Sequence, residues 1–327
     1  MTDLNQPLTD NAQPALPPSV QALVDSISAE PGMSPEKAAL LLEQSGISAE
    51  DLAPWQRFEH PAQDCYGRTM IHDGGSFELM LMSWLPGDMS AIHDHGYTMW
   101  GAVRIYGQAE HAVFEEREGR LSTRERCIFP PDSIVAVTHE LVHQMGNIDQ
   151  EPFVSLHLYG SQERERDVTA DSRIFELDEG RIQITTGGAF FLLPESQVSD
   201  ASKVVKGDFP TWMRHNCELL RRMRCIRSAG GRGGLQVREE RLLREFNSID
   251  TWQALRQELQ LRLPRLTEEQ QLGYIASLGQ ELVSATRLFS ELHAEGCFDP
   301  SPEVLQLIGE IAGMLENADF VSRIAGE

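Results

Sequence analysis

Hydrophobic positions follow three successive patterns along the chain, and the first of them is helical. Residues 19–28 carry apolar side chains three and four positions apart, the spacing of a helix with one buried face. Residues 34–44 open with Ser-Pro-Glu-Lys, a sequence typical of a helix start. Residues 47–55 are predicted as a third short helix with Ser48 at its N-cap. Residues 1–18 are polar and rich in proline, and are predicted to be a flexible tail.

The second pattern begins near residue 66 and is typical of β-strands. Residues 77–84 are apolar on both faces, as in a strand covered on both sides of its sheet. Further strand candidates recur about every ten residues, the spacing of an all-β sandwich or barrel. They lie at 98–106, 110–116, 124–129, 133–137, 144–148, 153–159, 172–177 and 181–186.

The third pattern, after residue 205, is helical again. Apolar residues at helical spacing occur at 209–226, 236–247, 248–261, 267–295 and 302–324, with a glycine-rich break at 228–234. We therefore expect a tail (1–18), a mainly β domain with short N-terminal helices (19–200) and an all-α domain of unknown role (205–327).

Charge separates the same two parts of the chain. The 327 residues contain 28 Lys and Arg against 50 Asp and Glu, a formal charge of −22. Residues 1–200 carry a net charge of −20, whereas residues 201–327 are nearly balanced at −2. An acidic surface repels phosphate backbones and anionic lipid, so we expect neither nucleic-acid nor membrane binding.

Targeting and redox signals indicate a cytoplasmic protein. Met1 to Pro18 shows no basic and apolar signal-peptide pattern, and no apolar run approaches the length of a membrane span. The five cysteines are odd in number and include no Cys-x-x-Cys pair. This usage is typical of free thiols in a reducing compartment.

Two histidines close together carry the first chemical signal. His93 and His95 lie at i and i+2, so on a strand their imidazoles project to the same face. Imidazole suits iron, copper, nickel or zinc. By itself, such a pair is as compatible with ordinary surface or core histidines as with a metal site.

A second motif lies further along the same β region. His143 is followed four residues later by Asn147, and the first motif is preceded by Gly87 and followed by Gly107. This combination resembles the two motifs of the cupin barrel. The resemblance implies a double-stranded β-helix, or jelly-roll barrel, whose histidines bind a metal inside it. His139 is a rival third ligand, although the Asn147 spacing favours His143.

The ligand set departs from the usual cupin pattern. Cupins commonly carry a glutamate four or five residues after the second histidine, where this chain has Met99 and Trp100. The expected set is therefore three neutral histidines without a carboxylate, which favours anionic ligands from solution. Zinc hydrolases also use three histidines, so the ligand count alone does not select the metal.

Three stretches, in order, resemble the thiol dioxygenase branch of the cupins, and most closely cysteine dioxygenase. They are Tyr-Gly-Arg-Thr-Met-Ile at 66–71, the apolar strand at 77–84 continuing to the histidines at 92–96, and Glu-Pro-Phe-Val-Ser-Leu-His-Leu-Tyr at 151–159. The resemblance covers about residues 20–190. No counterpart is recognised for 205–327.

The resemblance implies a role for each matching residue. The three histidines would bind Fe(II), and Arg68, beside Tyr66, would pair with the substrate carboxylate. Tyr159 would place its hydroxyl near the reacting atoms, with His157 bonded to it and Ser155 behind. Residues 155, 157 and 159 share one face of a strand, so such a relay is geometrically reasonable. An ordinary buried strand would show the same alternation, and a surface arginine is the less favoured explanation of Arg68, given the matching Tyr66 before it.

The position of Trp100 bears on the substrate. Mammalian-type enzymes have a cysteine there that cross-links to the tyrosine, so no such thioether is expected here. Trp100 is expected to line the substrate pocket and to narrow or redirect it. An alternative alignment, with a two-residue gap, pairs Trp100-Gly101 with a Trp-Gly of mercaptopropionate-type relatives. Those relatives tend to have glutamine in place of Arg68, which favours a cysteine-like substrate.

The implied activity adds both atoms of O₂ to the sulfur of cysteine, or of a similar small thiol, to give a sulfinic acid. Three alternatives stay open. The substrate could be 3-mercaptopropionate or a larger biosynthetic thiol, or the protein could be a non-catalytic metal-binding sensor that signals through its helices. The third is a zinc or nickel isomerase-type cupin, against which the Arg68 and Tyr159 segments argue.

A basic stretch opens the helical part. Nine arginines and three acids lie between Arg214 and Arg244. Such a stretch could dock a protein partner, an anionic cofactor or the acidic barrel of the same chain. Packing on the barrel is the favoured interpretation.

Overall fold

The N-terminal helices cover one side of a β-barrel in the computed structural model, which describes residues 14–161, 168–185, 188–231 and 234–325. Helix α1 spans Pro18–Ala29, and α2 spans Pro35–Gln44 behind an N-cap at Ser34, whose side chain accepts from the Lys37 amide. Most of the predicted tail, residues 1–13, lies outside the described residues.

The third predicted helix is wrong in extent. Only Ala53–Trp55 is helical, as one 3₁₀ turn. Ser48 is not the cap of that turn, whose N-cap is Leu52. Its hydroxyl accepts from the Asp51 amide at 3.3 Å and the Asp51 carboxylate accepts from the Ser48 amide at 3.0 Å, which closes the preceding turn at 48–51. Pro54 follows the cap and has no amide hydrogen to donate, which favours a short turn over a longer helix.

One five-stranded sheet forms the first wall of the barrel, and two smaller sheets form the opposite wall. The first has the order β1-β2-β8-β3-β6. Its strands are β1 (Gly67–Asp73), β2 (Phe77–Trp84), β3 (Trp100–Ile105), β6 (Ile134–Thr138) and β8 (Phe153–Gly160).

The opposite wall combines two smaller sheets, with the orders β12-β5-β4-β7 and β11-β10-β9. Their strands are β4 (Ala109–Arg117), β5 (Arg120–Phe129), β7 (Val142–Gly146), β9 (Ser172–Glu176), β10 (Arg181–Thr185), β11 (Val198–Val204) and β12 (Lys206–Gly207). Isolated bridges from His93 to both His143 and Ile174 join the two sheets edge to edge. The result is a double-stranded β-helix, so the predicted cupin fold is confirmed.

Strand β2 shows why a strand of the barrel wall is apolar on both faces. All eight of its residues are buried. Leu79 and Leu81 belong to the cluster formed with α1 and α2, whereas Met80 and Met82 belong to the cluster inside the barrel. The alternation follows from the two-residue period of a strand. Each buried side chain contributes about 1.5–3 kcal/mol relative to an exposed one.

Strands β1 and β11 were not among the predicted strands. Their sequences, Gly-Arg-Thr-Met-Ile-His-Asp and Val-Ser-Asp-Ala-Ser-Lys-Val, mix polar and apolar residues without a clean alternation. Each lies at the edge of its sheet, where backbone pairing on one side suffices.

Five helices follow the barrel, and the prediction of an all-α C-terminal part is confirmed. They are α3 (Phe209–Ser228), α4 (Leu235–Phe246), α5 (Ile249–Arg262), α6 (Glu268–Ala294) and α7 (Pro302–Ala325). Asp208 caps α3, and Thr267 caps α6 in a capping box with Gln270. The helices share one hydrophobic cluster with the barrel interior. The division into domains at 200–205 stays a prediction.

Arginines of the basic stretch bind carboxylates of the same chain. Arg214 pairs with Glu110, Arg222 with Asp88, and both Arg238 and Arg241 with Asp178, all of them acids of the barrel part. Others pair within the helices, whereas Arg232 lies outside the described residues. The intramolecular alternative for this stretch is therefore the one observed.

Among the described residues, none of the helices combines the length and apolar character needed to cross a membrane.

Candidate metal centre and substrate cavity

Three histidines meet at one end of the barrel interior. The segment before β3 supplies His93 and His95, and β7 supplies His143. Two backbone hydrogen bonds of 2.9 and 3.0 Å pair His93 with His143. The candidate ligand atoms of all three lie within 4.8 Å of one another. The predicted convergence is thus present, although His93 lies in an isolated bridge and His95 in an irregular segment, and neither lies in a regular strand.

Hydrogen bonds behind the rings decide which nitrogen each histidine presents. The Nδ1 of His93 lies 2.9 Å from the carbonyl of Ala91, and the Nδ1 of His143 lies 2.9 Å from Nε2 of His111. Both residues therefore present Nε2 to the cavity. The Nε2 atoms of His143 and His95 are 3.1 Å apart. Two nitrogens bound at right angles to one ion, each at about 2.1 Å, would be about 3 Å apart.

The three histidines are held in the neutral state that binds a metal. Burial lowers the pKa of His93, and more strongly those of His95 and His143, each of which also faces the other histidines. Neutral imidazole is the form that binds a metal. Among the described residues, Nδ1 of His95 is buried without a hydrogen-bond partner. The donor set is three neutral imidazoles, which fits a divalent transition metal.

Other candidate ligands lie elsewhere. The rival His139 is bonded through Nδ1 to the carbonyl of Thr98 at 3.0 Å and lines a separate outer cleft. Met99, at the usual glutamate position, is 46% exposed. Asp94 reaches the cavity wall, but its carboxylate accepts from Arg173 at 2.6 Å. No acidic group among the described residues joins the three-histidine cluster.

A chain of hydrogen bonds leads from Trp84 to the cavity. The Trp84 indole donates to the Ser155 hydroxyl at 2.8 Å, Ser155 contacts Nε2 of His157 at 2.7 Å, and Nδ1 of His157 contacts the Tyr159 hydroxyl at 2.8 Å. The indole can only donate, so Ser155 accepts from it and its own proton is available to His157. When Ser155 donates that proton to Nε2, His157 donates from Nδ1 to the Tyr159 oxygen, and the phenol proton of Tyr159 is free to point into the cavity.

Burial keeps this chain uncharged. It lowers the pKa of His157 to about 3, and the positive charge of Arg68 acts in the same direction. It raises the pKa of Tyr159 well above its ordinary value of 10.0. Tyr159 is therefore a neutral hydrogen-bond donor beside the histidines, its ring 5.0 Å from that of His95.

Arg68 supplies a positive charge on the same wall. It lines the cavity from β1, and one of its Nη atoms lies 3.5 Å from the hydroxyl of Thr169. Its Nε is buried without a hydrogen-bond partner among the described residues. Tyr66 also lines the cavity, and its hydroxyl accepts from the Ala189 amide at 3.2 Å. The free space enclosed by these side chains is about 30 Å³.

Trp100 does not lie where the sequence suggested. Its ring packs on Gly160, and it belongs to the cluster with α1 and α2, outside the barrel. Trp100 is not among the described residues that line the cavity. The neighbouring Gly101 faces inward, because a Cβ there would lie 2.9 Å from the Tyr159 ring. The expectation that Trp100 lines and shapes the pocket is therefore wrong.

Two residues of the site were missed by the sequence analysis. His111 lies on β4 behind His143, and Trp84 begins the chain of hydrogen bonds to Tyr159. His111 could have been found from the sequence only by its inward position on an alternating strand. The indole of Trp84 carried none, since its pattern was that of any core aromatic.

The barrel region matches a known family. Residues 41–162 match the family model for cysteine dioxygenase type I. Cysteine dioxygenase type 1 of Danio rerio is 28% identical over 131 residues, which cover 38% of this chain and 64% of the relative. The Homo sapiens protein of the same name is 29% identical over 121 residues, with coverage of 33% and 58%. The chain thus spans about six-tenths of the length of these curated relatives.

Two solved structures show a distant likeness to this chain. A Klebsiella pneumoniae protein with a double-stranded β-helix domain is 16% identical at a TM-score of 0.30, covering 41% of this chain and 99% of its own. A cupin domain from Schizosaccharomyces pombe is 12% identical at a TM-score of 0.24, with coverage of 29% and 61%.

Proposed function

We propose, for a chain whose residues 41–162 form a cysteine dioxygenase-like cupin, that the protein is a non-haem Fe(II)-dependent thiol dioxygenase. The reaction would join one small thiol and one O₂ to give the sulfinic acid, with both oxygen atoms on sulfur. Cysteine, or a thiol with the same carboxylate, is the proposed substrate.

One observation carries this proposal. Three metal-binding histidines, a cationic Arg68 and a neutral Tyr159 donor line the same small cavity. The histidines can hold the metal, the arginine can bind a carboxylate, and the tyrosine can donate a hydrogen bond to the reacting atoms. A zinc or nickel isomerase has no evident need for a buried arginine and a tyrosine facing one thiol-sized space.

His93, His95 and His143 would hold the iron, since three neutral imidazoles suit Fe(II). When bound, iron supplies a Lewis acid and redox centre at which the thiol sulfur and dioxygen can react. The protein's contribution is to position the substrate beside that centre, to hold a proton nearby and to exclude water.

Arg68 would bind the substrate carboxylate. A guanidinium presents two parallel donors that match a carboxylate, and the partnerless Nε of Arg68 is such a donor. Burial strengthens the pairing, because little water competes inside the barrel. The result is an oriented substrate whose sulfur reaches the histidines.

Tyr159 would donate its phenol proton toward the reacting atoms. His157 fixes that direction by donating to the phenol oxygen, and Ser155 fixes the tautomer of His157. The proton stays on Tyr159 at neutral pH because burial raises its pKa. A hydrogen bond held in place before reaction costs no reorganisation during it.

The size of the cavity supports a small substrate. The volume open to the centre of a water-sized group is about 30 Å³, which favours a thiol of a few heavy atoms over a tripeptide-sized one. Arg68 favours a carboxylate, which both cysteine and 3-mercaptopropionate carry, so the latter is the near alternative. All five cysteines of the chain are free thiols, which supports a reducing, cytoplasmic location.

The test is oxygen uptake by Fe(II)-loaded protein prepared anaerobically. Cysteine, 3-mercaptopropionate and cysteamine would be offered side by side, and sulfinate would be quantified. We expect stoichiometric uptake with cysteine, lost in His93→Ala. Thiol binding without oxygen uptake would contradict the proposal and support the sensor alternative.

A further inference from the structure

Helix α3 places a charged side chain behind the metal site. Arg214 is 1% exposed and lies on the outer face of the β4–β7 sheet. Its Nε donates to Oε1 of Gln144 at 2.5 Å, and one Nη donates to Oε1 of Glu110 at 2.5 Å. The second Nη lies 3.6 Å from the carboxylate of Glu281 on α6.

Gln144 carries this contact to both segments that hold metal ligands. It follows His143 directly in β7, with its side chain on the opposite face of the strand. Its Nε2 donates to the carbonyl of Ser90 at 2.8 Å, three residues before His93. One buried amide therefore ties β7 to the segment of His93, and Arg214 fixes the orientation of that amide.

Glu110 makes the equivalent connection to His111. It precedes His111 in β4, again with its side chain on the outer face. Since His111 bonds Nδ1 of His143, the strand that Arg214 holds through Glu110 sets the orientation of a ligand ring. Arg214 thus contacts at once the chain neighbours of the ligand His143 and of His111, which bonds it.

The buried charges of this cluster balance. Arg126 makes two hydrogen bonds to Glu110, at 2.9 and 3.1 Å, and one to Glu281 at 2.8 Å. Two guanidinium and two carboxylate groups therefore lie together. A buried ion cluster adds little net stability over apolar packing, but its fixed geometry can specify one arrangement.

We propose that Arg214 is a positioning residue for the metal site, and that the C-terminal helices complete that site through it. The inference rests on the proposed function only in requiring that the histidines bind a metal. Outer partners of metal ligands typically change metal affinity by about 10- to 100-fold when removed. Loss of Arg214 should therefore weaken metal binding, whatever thiol the protein oxidises.

The experiment measures the affinity for Co(II), as a stable substitute for Fe(II), by competition with a chelator. Arg214→Met should weaken binding by roughly 10-fold and alter the visible Co(II) spectrum. Arg214→Lys keeps the positive charge but lacks the planar guanidinium group. Compared with Arg214→Met, it should recover more of the protein's stability than of its affinity for Co(II). Gln144→Met should reproduce the spectral change, and adding it to Arg214→Met should produce little further loss.

Arg222→Met is the matched control. Arg222 is also a buried arginine of α3, but it bonds the 62–65 segment and Asp88. This variant should lose stability in thermal unfolding and keep the wild-type Co(II) affinity and spectrum.

The outcomes separate the two proposals. Wild-type affinity and spectrum in both Arg214→Met and Gln144→Met would overturn the positioning role. If Arg214→Met does not fold, Gln144→Met alone decides. If the wild-type protein binds Co(II) but oxidises no thiol with Fe(II), the proposed dioxygenase activity is refuted. The positioning role of Arg214 is then decided by the Co(II) affinities of the variants. Failure of the wild-type protein to bind Co(II) would overturn both.

Discussion

At the residue scale, the direction of one hydrogen-bond chain decides what Tyr159 can do. The chain starts at Trp84, an indole that can only donate. With the Ser155 proton given to His157, both later bonds are directed toward the cavity. Tyr159 is left as a donor to whatever occupies the space beside the histidines.

Arg68→Met tests recognition of the substrate carboxylate. A hydrogen bond to a charged group contributes about 1.5–3 kcal/mol, so kcat/KM for cysteine should fall by roughly 10- to 100-fold. Cysteamine, which has no carboxylate, should be affected far less. Steady-state oxygen uptake with both thiols measures the difference. An equal loss for the two thiols would assign Arg68 a structural role.

Gly101→Ala tests the packing of Tyr159. The added Cβ would lie 2.6 Å from the Leu158 carbonyl and 2.9 Å from the Tyr159 ring, so the ring must move. A shift of about 1 Å at a reacting group can cost on the order of 100-fold in rate. Gly279→Ala in α6 is the control, because nothing lies within 4 Å of its new Cβ. It should keep full activity and gain up to about 1 kcal/mol of stability.

Rate measurements and urea unfolding on both glycine variants check this prediction. Full activity in Gly101→Ala would show that the position of the Tyr159 ring does not matter to the reaction.

The residues of the site were predictable to unequal degrees. Histidine spacing and the alternation 155–157–159 led to side chains that do meet in one cavity. The register around Trp100 was not predictable, because a one-residue shift exchanges the two faces of a strand. Contacts such as Arg214 with Gln144 join residues far apart in sequence, for which no local pattern exists.

At the element scale, arginines of α4 fasten the helices to the barrel. Arg238 donates twice to Asp178 at 2.6 Å, and Asp178 is fully buried. Arg241 and His215 bind the same carboxylate. Burial raises the pKa of Asp178, but the hydrogen bonds from His215 and Arg238 lower it below its ordinary range.

Arg238→Met should destabilise the protein by about 3 kcal/mol, because it leaves a buried carboxylate short of a partner. Arg244→Met is the control on the same helix, since its side chain is 70% exposed. It should change stability by less than about 0.5 kcal/mol. Urea unfolding of both variants measures the contrast. Small and similar losses of unfolding free energy in the two variants would show that buried Asp178 does not need Arg238 as a partner.

Helices were easier to predict than edge strands. The spacing of apolar residues located α3 to α7, because each buries one face. The edge strands β1 and β11 are held by backbone pairing, and their side chains show no regular alternation. The short 3₁₀ turn at Ala53–Trp55 shows that a serine with the hydrogen bonds of a cap, such as Ser48, does not establish a helix.

At the scale of the whole molecule, buried ion pairs join the barrel to its helices and make that junction sensitive to acid. Burial of Glu110 opposes its ionisation, but Arg214 and Arg126 lower its pKa from 4.5 to about 2. A lowered folded pKa means that the stabilisation is complete above pH 4.5 and is lost as the pH falls toward 2. The shift corresponds to about 3 kcal/mol.

Glu110→Gln should therefore be less stable than wild type at pH 7, and the difference should shrink as the pH falls below 4.5. Glu240→Gln, at an exposed position, should show no such trend. Free energies of unfolding in urea at several pH values test this. A difference that is constant with pH would mean that Glu110 is not a paired carboxylate in the folded protein.

The central claim is that this cavity transfers both atoms of one dioxygen to a thiol. The most direct measurement is mass spectrometry of the sulfinate formed from cysteine under ¹⁸O₂ in ordinary water by the Fe(II)-loaded protein. The account predicts two ¹⁸O atoms in each sulfinate molecule, and no product from His143→Ala. Sulfinate with one or no labelled oxygen, or disulfide as the sole product, would contradict it.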